Sequence, residues 1–417
     1  MIHLYVWLRC PDGAVSLAGE LRVADPDSRR GGRLHGEFRY ATEYLDDPRA
    51  IALDPVHLPL SPRIYDAQRP YAGLHAIFED SLPDDWGRGV LIRRFTLPRQ
   101  EQTPPHLLRA LGTECLGALA YTATPGWPPG NSHSGAFDLE SLIDAAERYD
   151  RNPETLSERE LDHLFQAASS PGGARPKAVV RYQDENWIAK LRSSRDTVDM
   201  VRIEAACLAL ARQAELTVPE FRLEIMGAHA ALLVKRFDIT DQQGRYHVAS
   251  LQTLMGEEGY YVTGYPELAD TVRRISCAPE HDLPDLYRQT VFNAALGNTD
   301  DHLKNFSMRH GGVGWRLTPA YDLIPDIPQR GEHVLNFGGS NRPTAENLAT
   351  LAKAFGLSPR KAQSVLRQVA AAFDNWIPVF QDYRVDEKDM ARIAPDIERR
   401  RRLLPPVSET RPADAAP

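Results

Sequence analysis

From His3 to about Thr124, short apolar runs alternate with Asp, Gly and Pro punctuation, and Leu4-Tyr5-Val6-Trp7-Leu8 and Leu17-Ala18-Gly19-Glu20-Leu21 each read as strands. One stretch departs from this: after Pro83-Asp84-Asp85, the residues Trp86, Val90, Leu91 and Phe95 recur at near-helical spacing. Breakers crowd Thr122 to Ser134 and predict a linker. Polar helices then read over Leu139–Tyr149 and Ser157–Ala168. Strands follow at Ala178–Tyr182 and Trp187–Leu191, flanking the polar turn Gln183-Asp184-Glu185-Asn186. A helix from about Val198 to Ala214 carries Ile203, Cys207, Leu210 and Ala214 on one stripe, and strands are expected at Phe221–Ile225 and Ala230–Arg236. After about Tyr246 the pattern is mainly helical, clearest at Asp285–Leu296 and at Pro359–Phe373, which opens on the cap Ser358. The expectation is an α+β chain: a small β-rich region over 1–125, a sheet-rich one over 135–245, a helical one over 246–404 and a disordered tail over 405–417.

Composition acts by exclusion. At 417 residues, with 42% hydrophobic, 25% charged and 8% aromatic residues, the chain suits two or three globular domains and is neither disordered nor fibrous. A formal net charge of −8 denies the whole surface a basic nucleic-acid footprint, so DNA contact calls for a local patch or a partner. Cys10, Cys115, Cys207 and Cys277 lack metal-ligand spacing and read as reduced, mostly buried thiols. Met1 to Arg9 show no leader pattern and no segment approaches about 18 uninterrupted apolar residues, so a cytoplasmic protein without a membrane span is expected. The run Arg399 to Arg402 reads as a solvated helix end.

The densest chemistry lies in Gly297-Asn298-Thr299-Asp300-Asp301-His302-Leu303-Lys304-Asn305, followed by Thr318-Pro319-Ala320-Tyr321-Asp322-Leu323. Asp300 and Asn305 are five positions apart, the separation of the aspartate and asparagine in a kinase catalytic loop. Phosphoryl transfer needs a carboxylate to orient and deprotonate the attacking hydroxyl, and an oxygen ligand to hold Mg2+ against the nucleotide phosphates. Asp300 and Asn305 suit those roles, and Asp322 would add a metal carboxylate. Its Tyr-Asp-Leu setting is not Asp-Phe-Gly and implies no switch of that type. Singly, Asp300, Asp301 and Asp322 each read as capping or solvated loop acids; their joint spacing favours the site. Gly172-Gly173 before the hairpin can present amides to phosphate or merely turn the chain. Lys190 can pair with phosphates, and Glu204 either pairs with Lys190 or lies on a solvated helix face.

Six ordered motifs carry a resemblance to the HipA family of bacterial toxin–antitoxin kinases: Phe78 to Gly87 (FEDSLPDDWG), Leu111 to Ala118 (LGTECLGA), Ser170 to Lys177 (SPGGARPK), Val234 to Asp238 (VKRFD), the GNTDDHLKN stretch and Pro319 to Asp322 (PAYD). The resemblance implies a two-lobed protein-kinase-like fold with a β-rich N-terminal subdomain, and a serine/threonine-protein kinase using ATP and Mg2+. It implies that Ser170, Gly172, Gly173 and Ala174 form the phosphate loop, with Ser170 (or its neighbour Ser169) autophosphorylated, and that Lys190 is the ATP lysine. Lys235 and Phe237 would form the adenine hinge, and Asp300 would be catalytic. His302 would be either a nucleotide-side residue or a buried histidine orienting the loop, with Asn305 and Asp322 as Mg2+ ligands. It further implies a HipB-like helix-turn-helix antitoxin, DNA contact only through that partner, and a protein substrate, an aminoacyl-tRNA synthetase being among the family's targets. The competing readings are a small-molecule or lipid kinase with similarly spaced Asp and Asn, and a catalytically silent co-repressor.

Overall fold

The structure, a computed structural model, describes residues 1–25, 34–67, 73–128, 139–167, 175–183, 185–227, 229–259 and 262–406. Strands β1 (Ile2–Arg9), β2 (Val15–Val23), β3 (Gly36–Tyr40), β4 (Tyr65–Asp66) and β5 (Leu119–Thr122) form an antiparallel sheet in the order β4-β3-β2-β1-β5. On β1 the alternating Leu4, Val6 and Leu8 are buried, as a strand with one face on the core requires. At the β1–β2 irregularity beside Val6, a Cβ on Gly19 would lie 2.3 Å from the Arg39 carbonyl oxygen, so only glycine fits there. The expected helix after Asp85 forms over Asp85–Arg94, capped by Asp84, whose carboxylate accepts from the Gly87 N–H at 2.9 Å. A second helix, Pro104–Leu111, lies within the stretch expected to be β-rich; Pro104 and Pro105 open it, and at the first turn of a helix they cost no hydrogen bond.

Strands β6 (Lys177–Tyr182), β7 (Glu185–Lys190), β8 (Phe221–Met226) and β9 (His229–Lys235) make a second antiparallel sheet, order β6-β7-β9-β8. Its first hairpin is tighter than expected: Tyr182 pairs with Glu185, so Glu185 and Asn186 belong to β7. Gln183 takes a φ of 52°, the left-handed conformation that such short turns use. Trp86 and Val90 from the Asp85–Arg94 helix share a buried cluster with Trp187, Leu233, Leu142 and Ile143, so the N-terminal region helps build the core of this sheet. The helix Met200–Gln213 covers the sheet with the expected stripe, Ile203, Cys207 and Leu210 all buried.

Beyond it lie β10 (His247–Ser250), β11 (Ser307–His310) and β12 (Trp315–Leu317), paired in that order, amid helices that include Pro279–Leu296, Pro359–Asp374 and Glu387–Arg401. The first of these starts six residues before the expected Asp285. Pro284 lies so near its beginning that the forfeited bond falls on a first-turn carbonyl. Polar struts tie the N-terminal sheet region to both later parts: Asp80 accepts from Ser250 N and Oγ at 2.8 and 3.0 Å, and the Gly117 N–H donates to Asp238 at 2.8 Å. Two surface expectations are corrected. Cys277 is exposed, and Arg400 is buried at 2% exposure because it pairs with Asp396 at 2.7 Å and meets His333 at 3.1 Å. Among the described residues no helix is long and apolar enough to cross a membrane. The expected linker is described over 122–128, where irregular chain follows β5, while its remainder from 129 and most of the expected tail, 407–417, lie outside the described residues.

Candidate active site

The helix Pro279–Leu296 leads into the loop Gly297 to Asn305. Gly297 ends it at φ 75°, and a Cβ there would lie 2.6 Å from Asp396 and 2.7 Å from Arg400, so glycine is required both for the turn and for the close approach. Asn298 then donates to the main-chain oxygen of Asp322 at 3.3 Å, tying the two acidic segments together. Asp301 points inward with no exposed surface and accepts from Tyr265 Oη (2.6 Å), His333 Nδ1 (2.9 Å) and the Val334 and Leu335 N–H groups (2.8 and 3.3 Å). With Asp301 anchored, the preceding Asp300 is left half exposed, its carboxylate bound by Arg330 Nη1 at 2.8 Å.

Asn305 closes the loop. Its amide nitrogen donates to the Asp300 carbonyl at 2.8 Å, which fixes the side-chain orientation, while its Oδ1 is buried and unpartnered. A buried, oriented and unsatisfied oxygen is what a hard cation would use, so the residues present fit Mg2+ here. Asp322 takes the left-handed φ of 57°, an uncommon backbone for a non-glycine residue and one that clusters at functional sites. Burial opposes its ionisation, but Lys190, then Lys177 and His302, hold its carboxyl below the ordinary range.

From the sheet side, Lys190 at the end of β7 pairs with Glu204 on the Met200–Gln213 helix and reaches Asp322 Oδ1 at 3.3 Å. The open choice for Glu204 is thereby resolved: it is buried and paired with Lys190. Burial favours the neutral amine, yet Glu204 and Asp322 together raise the Lys190 pKa and keep it charged. Patterning missed Lys177, which pairs with Lys190 in register across the hairpin and, itself buried, forms an ion pair with Asp84 of the N-terminal motif. Its signal was present in the motif Ser170 to Lys177, but its acidic partner lies 93 residues away in sequence.

The segment Val234 to Asp238 divides its labour. The Lys235 ammonium pairs with Glu185 at 2.5 Å and Glu220 at 3.6 Å on the sheet. Arg236 and Asp238 form a buried pair at 2.5 Å, joined by Arg245 at 3.3 Å. Phe237 stacks on Tyr321, ring centroids 5.7 Å apart, which places it one residue from Asp322. His302 stands at the N-cap position of the short 3-10 turn Leu303–Asn305 without a side-chain cap bond and is half-buried. Ser170, Gly172, Gly173 and Ala174 lie outside the described residues. The structure thus brings Lys190, Asp322, Asn298 and the Asp300–Asn305 loop together, with Phe237 alongside.

Comparison with known proteins adds context. The profile of the HipA N-terminal domain matches residues 18–122, and that of the HipA-like C-terminal domain residues 169–377. Two Sinorhizobium fredii proteins, named "Putative kinase Y4dM" and "Putative kinase Y4mE", are 30% identical over 209 residues and 26% identical over 221. These alignments cover 45% and 48% of this chain and 50% and 53% of those proteins, so the chain spans about half the length of the curated relatives it matches. A chain of the Shewanella oneidensis MR-1 toxin–antitoxin complex of HipA, HipB and operator DNA has the same fold at a TM-score of 0.69 and 17% identity, covering 95% of this chain and 96% of its own. The α+β, two-lobed architecture expected from the sequence is the one observed.

Proposed function

The chain belongs to the HipA family, and on that footing we propose that it is an ATP- and Mg2+-dependent serine/threonine-protein kinase toxin. The observation that carries the reading is the contact of Lys190 with Asp322 across the cleft, set beside the buried, unpartnered Oδ1 of Asn305. Lys190, kept charged by Glu204, binds phosphate oxygens of ATP. Asn305 and Asp322 hold Mg2+, which when bound neutralises and orients those phosphates. Asp300 takes the proton of the attacking hydroxyl, for which Arg330 must first release it. Catalysis is then mostly positioning and charge neutralisation.

The reading extends to autophosphorylation at Ser170, where a phosphate adds about −1.5 to −2 charges in the phosphate loop and opposes ATP binding. It extends also to a HipB-like helix-turn-helix antitoxin that carries the DNA contact, in keeping with the acidic balance of this chain, and to a protein substrate such as an aminoacyl-tRNA synthetase. The test is incubation of the purified chain with radiolabelled ATP and Mg2+, alone and in lysate. Label on Ser170 and on a discrete protein band is expected, with both lost in Asp300→Ala. Label confined to small molecules, or full transfer by Asp300→Ala, refutes the assignment.

A further inference from the structure

Asp300 lines a cavity of about 310 Å³ that is also bordered by four arginines, Arg175, Arg195, Arg330 and Arg392. Their commitments differ. Arg175 Nε donates to Asp196 at 2.8 Å and Arg330 Nη1 to Asp300 at 2.8 Å. Arg392 Nη1 has the Thr197 hydroxyl, at 2.9 Å, and among the described residues no carboxylate lies within ion-pair distance of Arg195 or Arg392, Arg195 acting only at longer range on Asp150. The remaining acid on the wall, Asp326, already accepts from the N–H groups of Arg330 and Gly331 at 2.9 and 2.7 Å. In a chain of net charge −8, four guanidinium groups gathered beside Asp300, two of them outside ion-pair distance of any described carboxylate, form a local basic site.

Its position assigns it to the acceptor side. Lys190, on β7, faces Asp322, whereas Arg195 follows that strand and Arg392 comes from the C-terminal helix. A hydroxyl bound to Asp300 brings its chain neighbours into this cavity, since successive residues of an extended segment advance only about 3.3–3.6 Å. A carboxylate matches the guanidinium fork in two hydrogen bonds. Among the described residues no aromatic side chain lines the cavity to stack a base, which argues against a nucleic acid as the occupant.

We infer, building on the kinase reading above, that the cavity selects protein acceptors carrying Asp or Glu beside the phosphorylated Ser or Thr. Arg195 and Arg392 are the specificity residues, and Arg330 exchanges Asp300 for the incoming carboxylate, which frees the base as the correct substrate seats. Binding and transfer are tested separately, on the full chain, with fluorescein-labelled peptides holding one central serine flanked by Glu or by Lys. The Glu peptide should bind at least about fivefold tighter by anisotropy without nucleotide and be the better phosphoacceptor. The exposed pair Arg195→Glu with Arg392→Glu should abolish or invert that preference while Mg-ATP binding and autophosphorylation stay unchanged. Equal affinities, a preference that survives the reversal, or an oligonucleotide that loses binding in the variant while the peptides do not, each overturn the inference. ATP turnover that labels no peptide overturns it as well. A Glu peptide that binds selectively to a chain unable to transfer phosphate sinks the kinase reading and leaves the acidic-segment surface standing.

Discussion

Replacing each of the adjacent aspartates Asp300 and Asp301 by alanine should have opposite consequences. Asp301 is wholly buried and accepts four hydrogen bonds, from Tyr265, His333 and two backbone N–H groups. Truncation strands four buried donors at roughly 1 kcal/mol or more each, a loss of about 4 kcal/mol, which lowers the Tm of a lobe this size by about 10 °C. Asp300 is 44% exposed and its one ion pair is with Arg330, itself 52% exposed, a pair worth at most about 1 kcal/mol. Asp300→Ala should therefore melt within about 3 °C of the parent yet lose about 10^2 to 10^4 fold in phosphoryl transfer. Differential scanning fluorimetry of both variants, with a radiolabel assay on the soluble ones, reads both axes. If Asp301→Ala melts with the parent, or if Asp300→Ala melts as low as Asp301→Ala is expected to, the division into anchor and base is wrong.

Three further outcomes follow from the packing. Gly297→Ala must hold alanine at φ 75° against the Asp396–Arg400 pair, so a loss of about 2–3 kcal/mol is expected, seen as a lower denaturant midpoint at constant slope. Burial pushes His247 down to about 4 while its ring N–H bonds the Leu53 carbonyl; the unfolded chain takes up a proton below pH 6.5 that the folded chain refuses. Stability should thus drain as pH falls from 6.5 and level off below about 4, with about 2 kcal/mol lost by pH 5, and His247→Gln should lack this share of the acid sensitivity. Under native conditions a thiol reagent should modify Cys277 quickly, leaving Cys115 and Cys207 until denaturant is added; peptide mapping that finds either buried thiol labelled first contradicts the packing.

What could be read along the chain was what depends on neighbours in sequence. The five-residue step from Asp300 to Asn305 is a property of one loop, and the stripe on the Met200–Gln213 helix a property of one helix, so both were legible. Burial made by distant partners was not. Arg400 stands in a run of four arginines that looks solvated, and only the return of the C-terminal helix over Gly297 places it against His333, whose other ring nitrogen holds Asp301. The same is true of Lys177, whose partner Asp84 comes from the N-terminal motif, and of Arg330, which reaches Asp300 from 30 residues downstream. The motif Val234 to Asp238 mixes the two kinds: its resemblance pointed to the nucleotide, but Arg236 and Asp238 are spent on each other and on the Gly117 N–H, which fastens the N-terminal sheet region to the segment beside the cleft. Although burial opposes it, Arg236 and then Arg245 keep the Asp238 carboxyl charged, so Asp238→Ala leaves the buried Arg236 and the half-buried Arg245 without their shared carboxylate. A loss of about 3–5 kcal/mol is expected. Because Lys177 and Asp80 also cross that junction, and buried side chains of the N-terminal and later regions share one core, limited proteolysis of the variant should show the N-terminal region and the helical lobe lost together; release of the N-terminal region from an intact helical lobe would mean that the Asp238 cluster was the main tie.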